Sequence, residues 1–224
     1  MRRFLRDNGL SLAFGLLFLL TLAAQGLAGH ADFNQRQLSA QGEPVGLLSY
    51  LVSSDYVVDV AENWQSEFLQ FFLYVWATVW LIQRGSPESK PAGRIGRETD
   101  REQHLGRHAG PNAPAWARTG GWRTALFSRS LGLVMALLFF ASWALQSVAG
   151  WYAHNAELLG DFAAPLSWPG YLVSADFWNR SLQNWQSEFL ALATMAILSV
   201  YLRQRGSPES KPVGTPHTTT DENG

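Results

Sequence analysis

The sequence predicts an all-α membrane protein, a four-helix bundle built from two tandem helical hairpins. Three observations carry this: two apolar runs long enough to cross a bilayer, a self-match at an offset of about 121 residues, and basic residues confined to alternate segments. The mean hydropathy is near zero only because very apolar and very polar blocks cancel. The 10 Trp cluster beside the apolar blocks, where an indole sits when a bilayer supplies the interface.

Leu10 to Gly29 is an apolar run, and Leu131 to Gly150 is its counterpart; each is about 20 residues, enough to cross roughly 30 Å of hydrocarbon as a helix. These are spans one and three. Arg2, Arg3 and Arg6 ahead of the first run and Ala28 and Ala31 near its end also suit a secretory leader. The internal copy at Leu131 argues for a retained span, because an internal segment cannot be a cleaved leader.

Between Asn8 and Pro91 roughly 35 of 84 positions match the chain about 121 residues on, without a gap. The strongest matches are YLVS-x-D (from Tyr50 and Tyr171), NWQSEFL (from Asn63 and Asn184) and QRGSPESKP (from Gln83 and Gln204). The expected division is a first two-helix membrane unit at 1–91, a flexible cytoplasmic linker at 92–121, a second unit at 122–212 and a disordered tail at 213–224. The linker is rich in Arg, Gly and Pro and has no apolar period.

Spans two and four run from Trp64 to Ile82 and from Trp185 to Leu202. Ser53, Ser54 and Asp55 offer capping oxygens, so the helices should begin near Asp55 and Asp176 and project beyond the bilayer. Arg84 with Gly85, and Arg205 with Gly206, are the expected helix stops: the arginines suit the negative helix end, the glycines a left-handed cap, and Pro87 and Pro208 forbid continuation. The segments from His30 to Ala61 and from Trp151 to Leu182 carry scattered apolar residues that suit a short helix along the membrane surface.

Of the 17 Lys and Arg, only Arg36 and Arg180 fall between paired spans; the remaining 15 lie in the N-terminal segment, the linker and the C-terminal tail. Basic loops stay in the cytoplasm, so both termini are expected there, with two outward-facing loops rich in Asp and Glu. The two units then share one orientation, as a parallel repeat.

Trp64 and Trp185 are the expected interface anchors, with Glu67 and Glu188 almost one turn deeper. An acid near hydrocarbon turns to the bundle interior and finds a partner. Gln25 lies roughly 22 Å along span one and Glu67 about 25 Å from the inner end of span two, so they fall in one layer. Structural polar contacts are therefore expected between Gln25 and Glu67 and between Gln146 and Glu188, unless the acids reach up to water. The same two acids make a small channel or transporter the alternative, although the spans hold only Gln70, Tyr74, Thr78 and Thr194 besides, too few for a continuous polar path.

The absence of Cys excludes disulfides and thiolate chemistry. A net charge of -1 gives no sign of nucleic-acid binding. His104 and His108 are four apart but lack a further ligand and a helical period, so no metal is expected, and no cofactor motif occurs. No nucleophile, base and acid converge, so the expectation is no enzyme but a structural or interaction protein of a bacterial cytoplasmic membrane. The lipid bilayer is its first partner; a membrane or cytoplasmic protein, or a second copy in a homo-oligomer, is the next. QRGSPESKP is the stretch that a cytoplasmic partner would use.

At MRRFLRDNGLSL, NWQSEFLQ and QRGSPESKP the chain resembles a family of small bacterial membrane proteins known only as a domain of unknown function. The likeness covers both units and omits the linker. It implies a bacterial multi-pass membrane protein and supplies no catalytic residue.

Overall fold

The computed structural model describes residues 2–221, and those residues form helices, turns and loops with no strand. Helices α1 (Arg2–Asp7), α2 (Gly9–Ser39), α3 (Leu47–Leu51) and α4 (Ser54–Ala77) come first. Two 3-10 turns (Ala92–Arg94 and Gly106–His108) lead to α5 (Ala115–Thr119), α6 (Gly121–Phe127), α7 (Ser130–Gly160), α8 (Trp168–Leu172) and α9 (Ala175–Tyr201). The starts of α2 and α7, of α3 and α8, and of α4 and α9 stand 121 residues apart, the offset of the sequence match. The chain packs into two compact units, Met1–Val60 with Leu145–Tyr171, and Ala61–Ala144 with Leu172–Gly224. Each draws on both copies of the match.

α2 and α7 are 31 residues each, about 46 Å long, and both are apolar enough to cross a membrane. They run past Gly29 and Gly150, where the sequence suggested the spans would finish, because one glycine costs a helix only about 1 kcal/mol and good helix formers follow it. Each ends in a Schellman turn: Gly42 N donates to Gln37 O at 2.7 Å and Gln41 N to Leu38 O at 3.1 Å, and Ala163 and Phe162 do the same to Leu158 and Leu159. The left-handed position is held by Gln41 and Phe162 (φ 60° and 58°), so no glycine in the sequence marks these ends.

In the first compact unit, α2 carries Gly26 and Gly29 one turn apart, and this bare strip admits α3. A methyl on Gly26 would lie 2.9 Å from Leu51 Cδ2, and one on Gly29 would overlap the Tyr50 hydroxyl. Gly150 of α7 receives Tyr171 in the same way. Both tyrosines are fully buried, and Phe33 and His30 tilt against the Tyr50 ring. Burial, then the charges of Asp59 and Asp55, push the Tyr50 phenol above its ordinary range.

The loop between each long helix and its short one is pinned by an asparagine. Asn34 Oδ1 accepts from Val45 N at 2.8 Å while its Nδ2 donates to Val45 O at 3.0 Å, and Asn155 clasps Leu166 identically. A ring nitrogen joins each clasp, His30 Nε2 at Val45 O and Trp151 Nε1 at Leu166 O, both 2.7 Å. Val58 of α4 then packs on Ala149 and Ala153 of α7.

α4 and α9 begin where the capping residues predict: Ser53 Oγ accepts from Tyr56 N and Ser174 Oγ from Phe177 N. Their ends differ from the prediction. α4 stops at Ala77 and α9 at Tyr201, so Arg84, Gly85, Arg205 and Gly206 are not helix stops. α9 ends because Arg203 folds its guanidinium back onto the Val200 and Leu202 carbonyls, with His217 Nδ1 also on Val200 O. After α4, Val79 O is taken by Gly96 N.

QRGSPESKP instead folds twice as the same compact turn. Ser86 N donates to Gln83 O, Gln83 N to Ser89 Oγ and Glu88 N to Ser86 Oγ; Ser207, Gln204 and Glu209 repeat this with Ser210. The left-handed glycines predicted by the sequence are there (φ 90° at Gly85, 80° at Gly206), serving the turn rather than a cap. The lysine of each copy binds carbonyls. Lys90 Nζ reaches Gly96 O and Glu98, and Lys211 Nζ reaches the carbonyls of Pro216, His217 and Thr219. The Gln, Gly, Glu, Lys and both Ser of the string thus each have a structural task.

Where the sequence predicts a flexible linker, α5 and α6 are held by Thr124 Oγ1 on Trp116 O (2.6 Å) and by an edge contact between Trp116 and Trp122. Where it predicts a disordered tail, residues up to Asp221 fold onto the turn, with Gly85 N donating to Thr220 Oγ1. The last three residues of that tail lie outside the described residues.

Candidate functional site

Within the second compact unit, the two copies of NWQSEFL lie side by side on α4 and α9. The layers run in order along the helices. At the outermost level Arg180 of α9 bonds Glu62 Oε2 of α4 at 3.2 Å and Asp176 Oδ2 at 3.4 Å. It is one of the two basic residues that the sequence sets between paired spans, and it is spent on neutralising acids of its own unit.

Flanking that ion pair, Phe177, Trp178 and Trp185 of α9 form an aromatic cluster with Trp143 of α7, on which Phe139 is stacked. The indoles have polar partners: Trp143 Nε1 donates to Ser181 Oγ at 3.3 Å and Trp185 Nε1 to Gln65 Oε1 at 2.8 Å. Gln65 is fully buried. Trp185, expected as an interface anchor, is therefore packed into the cluster, whereas Trp64 keeps 38 % of its surface exposed and suits an anchor better.

The next turn holds the carboxylates. Ser66 Oγ donates to Glu188 Oε1 at 3.4 Å. The Gln70 amide stands between the acids: in the orientation that satisfies its surroundings, Nε2 donates to Glu188 Oε2 at 2.9 Å and to Glu67 Oε2 at 3.3 Å. One amide and one hydroxyl thus serve two carboxylates, so this layer has more acceptors than donors.

Of the residues singled out from the sequence, Glu67 and Glu188 are brought together through Gln70. The hydrogen bonds of Glu188 go to Ser66 and Gln70, because α4 and α9 present duplicate segments to each other. Gln146 is fully buried on α7, while Gln25 is exposed on α2. Sequence reasoning passed over Gln65, Ser66, Glu62 and Arg180. Gln65 and Ser66 carried a signal, since they lie inside the repeated string, and Arg180 did as one of the two basic residues between paired spans; Glu62 lies outside the string.

No similar curated protein and no similar solved structure was found. A family model, described as "Domain of unknown function (DUF6766)", matches residues 1–222, and the chain belongs to that family.

Proposed function

We propose that the chain is a multi-pass protein of a bacterial cytoplasmic membrane, in which two tandem two-helix units supply four spans, pack as a bundle and leave both termini in the cytoplasm. Its role is structural or interactive, without enzymatic chemistry. The supporting observation is the exposure of α2. It is long and apolar enough to span, yet only 6 % of its most apolar window is buried. Leu10, Phe14, Leu16, Leu17, Leu19 and Leu20 each keep more than half their surface exposed. Left in water, six such side chains would forgo about 5–10 kcal/mol, as much as the whole net stability of an ordinary domain. Lipid removes that penalty. The apolar helix α7 lies far from the N-terminus, which favours spans over a leader in both copies.

The experiment is fractionation of expressing cells followed by an alkaline wash, with a protease-sensitive tag at each end. Retention in the washed membrane, and tags cleaved only after the inner face is opened, support the reading. Recovery in the soluble fraction, or tags on opposite sides, would overturn it.

The acceptor-rich layer of Glu67, Gln70 and Glu188 favours a second reading, a small channel or transporter in which a proton or cation balances the two acids. Flux into proteoliposomes that falls on Glu67→Gln and Glu188→Gln would support it; no flux above empty vesicles removes it.

A further inference from the structure

Between Glu102 and Glu157 the chain carries no acidic residue, yet it carries Arg107, Arg118, Arg123 and Arg129. All four precede α7, and all four are exposed. α6 is the counterpart of α1 in the repeat: 121 residues earlier, Arg2 answers to Arg123, but Asp7 answers to Ser128. In α1 that aspartate pairs with Arg3 and Arg6 at 3.4 and 3.0 Å. Its loss from the second copy leaves α6 with positive charge and no local counter-charge. The acids nearest in sequence are engaged elsewhere, Glu98 by Lys90 at 3.1 Å and Glu102 by the Thr99 backbone N–H and hydroxyl, both at 2.8 Å. Among the described residues Arg118 donates to Pro111 O, Arg129 to Ala125 O and Arg107 to His108 Nε2, all neutral neighbours in sequence.

The same stretch holds aromatic residues. Trp116 of α5 meets the edge of Trp122 of α6 with ring centres 6.1 Å apart, and the Arg123 guanidinium lies 5.5 Å from the centre of the Trp122 ring. Leu126 follows Trp122 by four residues, on the same face of α6. Thr124 Oγ1 ties α6 to α5 through Trp116 O, so indoles and guanidiniums keep one arrangement. α6 is also tied to α7: Ser128 N donates to Thr124 O, Arg129 N to Leu126 O and Leu133 N to Arg129 O. Its level at a bilayer is therefore set by its own chain. A span that begins at Ser130 holds Arg129, Leu126 and Trp122 at the headgroups, wherever the remaining helices pack.

We infer that α5 and α6 are a docking element for anionic lipid headgroups, with Trp116, Trp122 and Leu126 entering the interface and Arg118, Arg123 and Arg129 taking lipid phosphates. An indole is at home at that level, and a guanidinium meets phosphate through two parallel N–H bonds. The charge of the segment is complementary to an anionic leaflet, and the tether to α7 puts that leaflet within reach. The inference rests on the membrane reading above.

The chain has no cysteine, so a bimane on Leu126→Cys reports from α6 alone. The labelled full-length chain is reconstituted in phosphatidylcholine vesicles and in an equal mixture of phosphatidylcholine and phosphatidylglycerol. Quenching by acrylamide, which is uncharged, should be about fivefold weaker in the anionic vesicles. Adding Arg118→Gln and Arg123→Gln should return it to the phosphatidylcholine value, since each arginine near the surface is worth about fivefold and the two together about thirtyfold. Molar salt should do the same. Equal quenching of the Leu126→Cys chain in the two vesicles overturns the inference and leaves the membrane reading standing. So does a difference between vesicles that survives removal of the two arginines. Loss of the chain from both vesicles in an alkaline wash overturns both.

Discussion

The hydroxyl of Tyr50 occupies the space that a side chain on Gly29 would need, and Tyr171 meets Gly150 in the same way. Alanine in a helix is ordinarily about 1 kcal/mol better than glycine, but here its methyl would overlap a buried phenol. Gly29→Ala and Gly150→Ala should each destabilise the fold by about 1–3 kcal/mol. Removing the hydroxyl relieves the overlap, so the pair Gly29→Ala with Tyr50→Phe should be less damaging than the sum of its parts, as read from thermal unfolding in detergent.

Asn34 and Asn155 each satisfy both backbone groups of one loop residue. Alanine at either position strands a part-buried N–H and leaves the C=O to its ring nitrogen alone, with an expected loss of about 1–3 kcal/mol. Aspartate keeps the acceptor and loses the donor, so it should fall between. Hydrogen exchange at Val45 and Leu166 should rise in the matching variant and not at the other loop.

Ser66 and Glu188 test the carboxylate layer. Hydrogen bonds between membrane helices average about 0.6 kcal/mol and reach about 1.7. A double-mutant cycle with Ser66→Ala and Glu188→Ala should give a coupling of that size, and Glu188→Leu should lower resistance to denaturing detergent. A coupling indistinguishable from zero would mean that the acid is solvated rather than paired.

Trp185 donates to the buried Gln65. Trp185→Phe leaves the ring volume largely filled but strips Gln65 Oε1 of its donor, for about 1–3 kcal/mol. Adding Gln65→Leu should recover part of the loss. If it deepens the loss, the hydrogen bond is not what holds the two helices at this level.

The two QRGSPESKP turns respond oppositely to acid. A hydrogen bond to Glu88, then repulsion from its charge, raises Glu209 above its ordinary 4.5. The folded chain then holds a proton that the unfolded chain loses above about pH 4.5, so this contact weakens as pH rises. Glu98 is lowered by its bond to Lys90, so that pair contributes above about pH 4.5 and is lost as pH falls. Glu209 is exposed and the Lys90–Glu98 pair is half-buried at the surface, so each effect should be about 0.5 kcal/mol or less. Glu209→Gln should flatten the first trend alone, in unfolding midpoints measured from about pH 4 to pH 8.

Much of this architecture was legible in the sequence. Periodicity and capping chemistry are local, so the starts of α4 and α9 could be read from Ser53 and Ser174, and the left-handed glycines from the Arg-Gly-Ser-Pro string. Helix ends were less legible. Gln41 and Phe162 terminate α2 and α7 although neither residue favours a positive φ, and α9 is ended by an arginine reaching back from the next segment. Asn34 and Asn155 match across the repeat near the ends of α2 and α7, in a stretch with few other identities, and that match was a visible trace of the clasp.

The sequence by itself determined where the apolar helices lie, that they come in two matched sets, and which stretches carry charge, because hydropathy and register are properties of consecutive residues. Only the tertiary structure decided that Glu188 meets Ser66 and Gln70 and that Trp185 meets Gln65. Those partners lie on other helices, some of them about 120 residues away in the chain, and identical strings face different neighbours once the two copies pack. Duplication makes local structure repeat, while the surroundings of each copy do not.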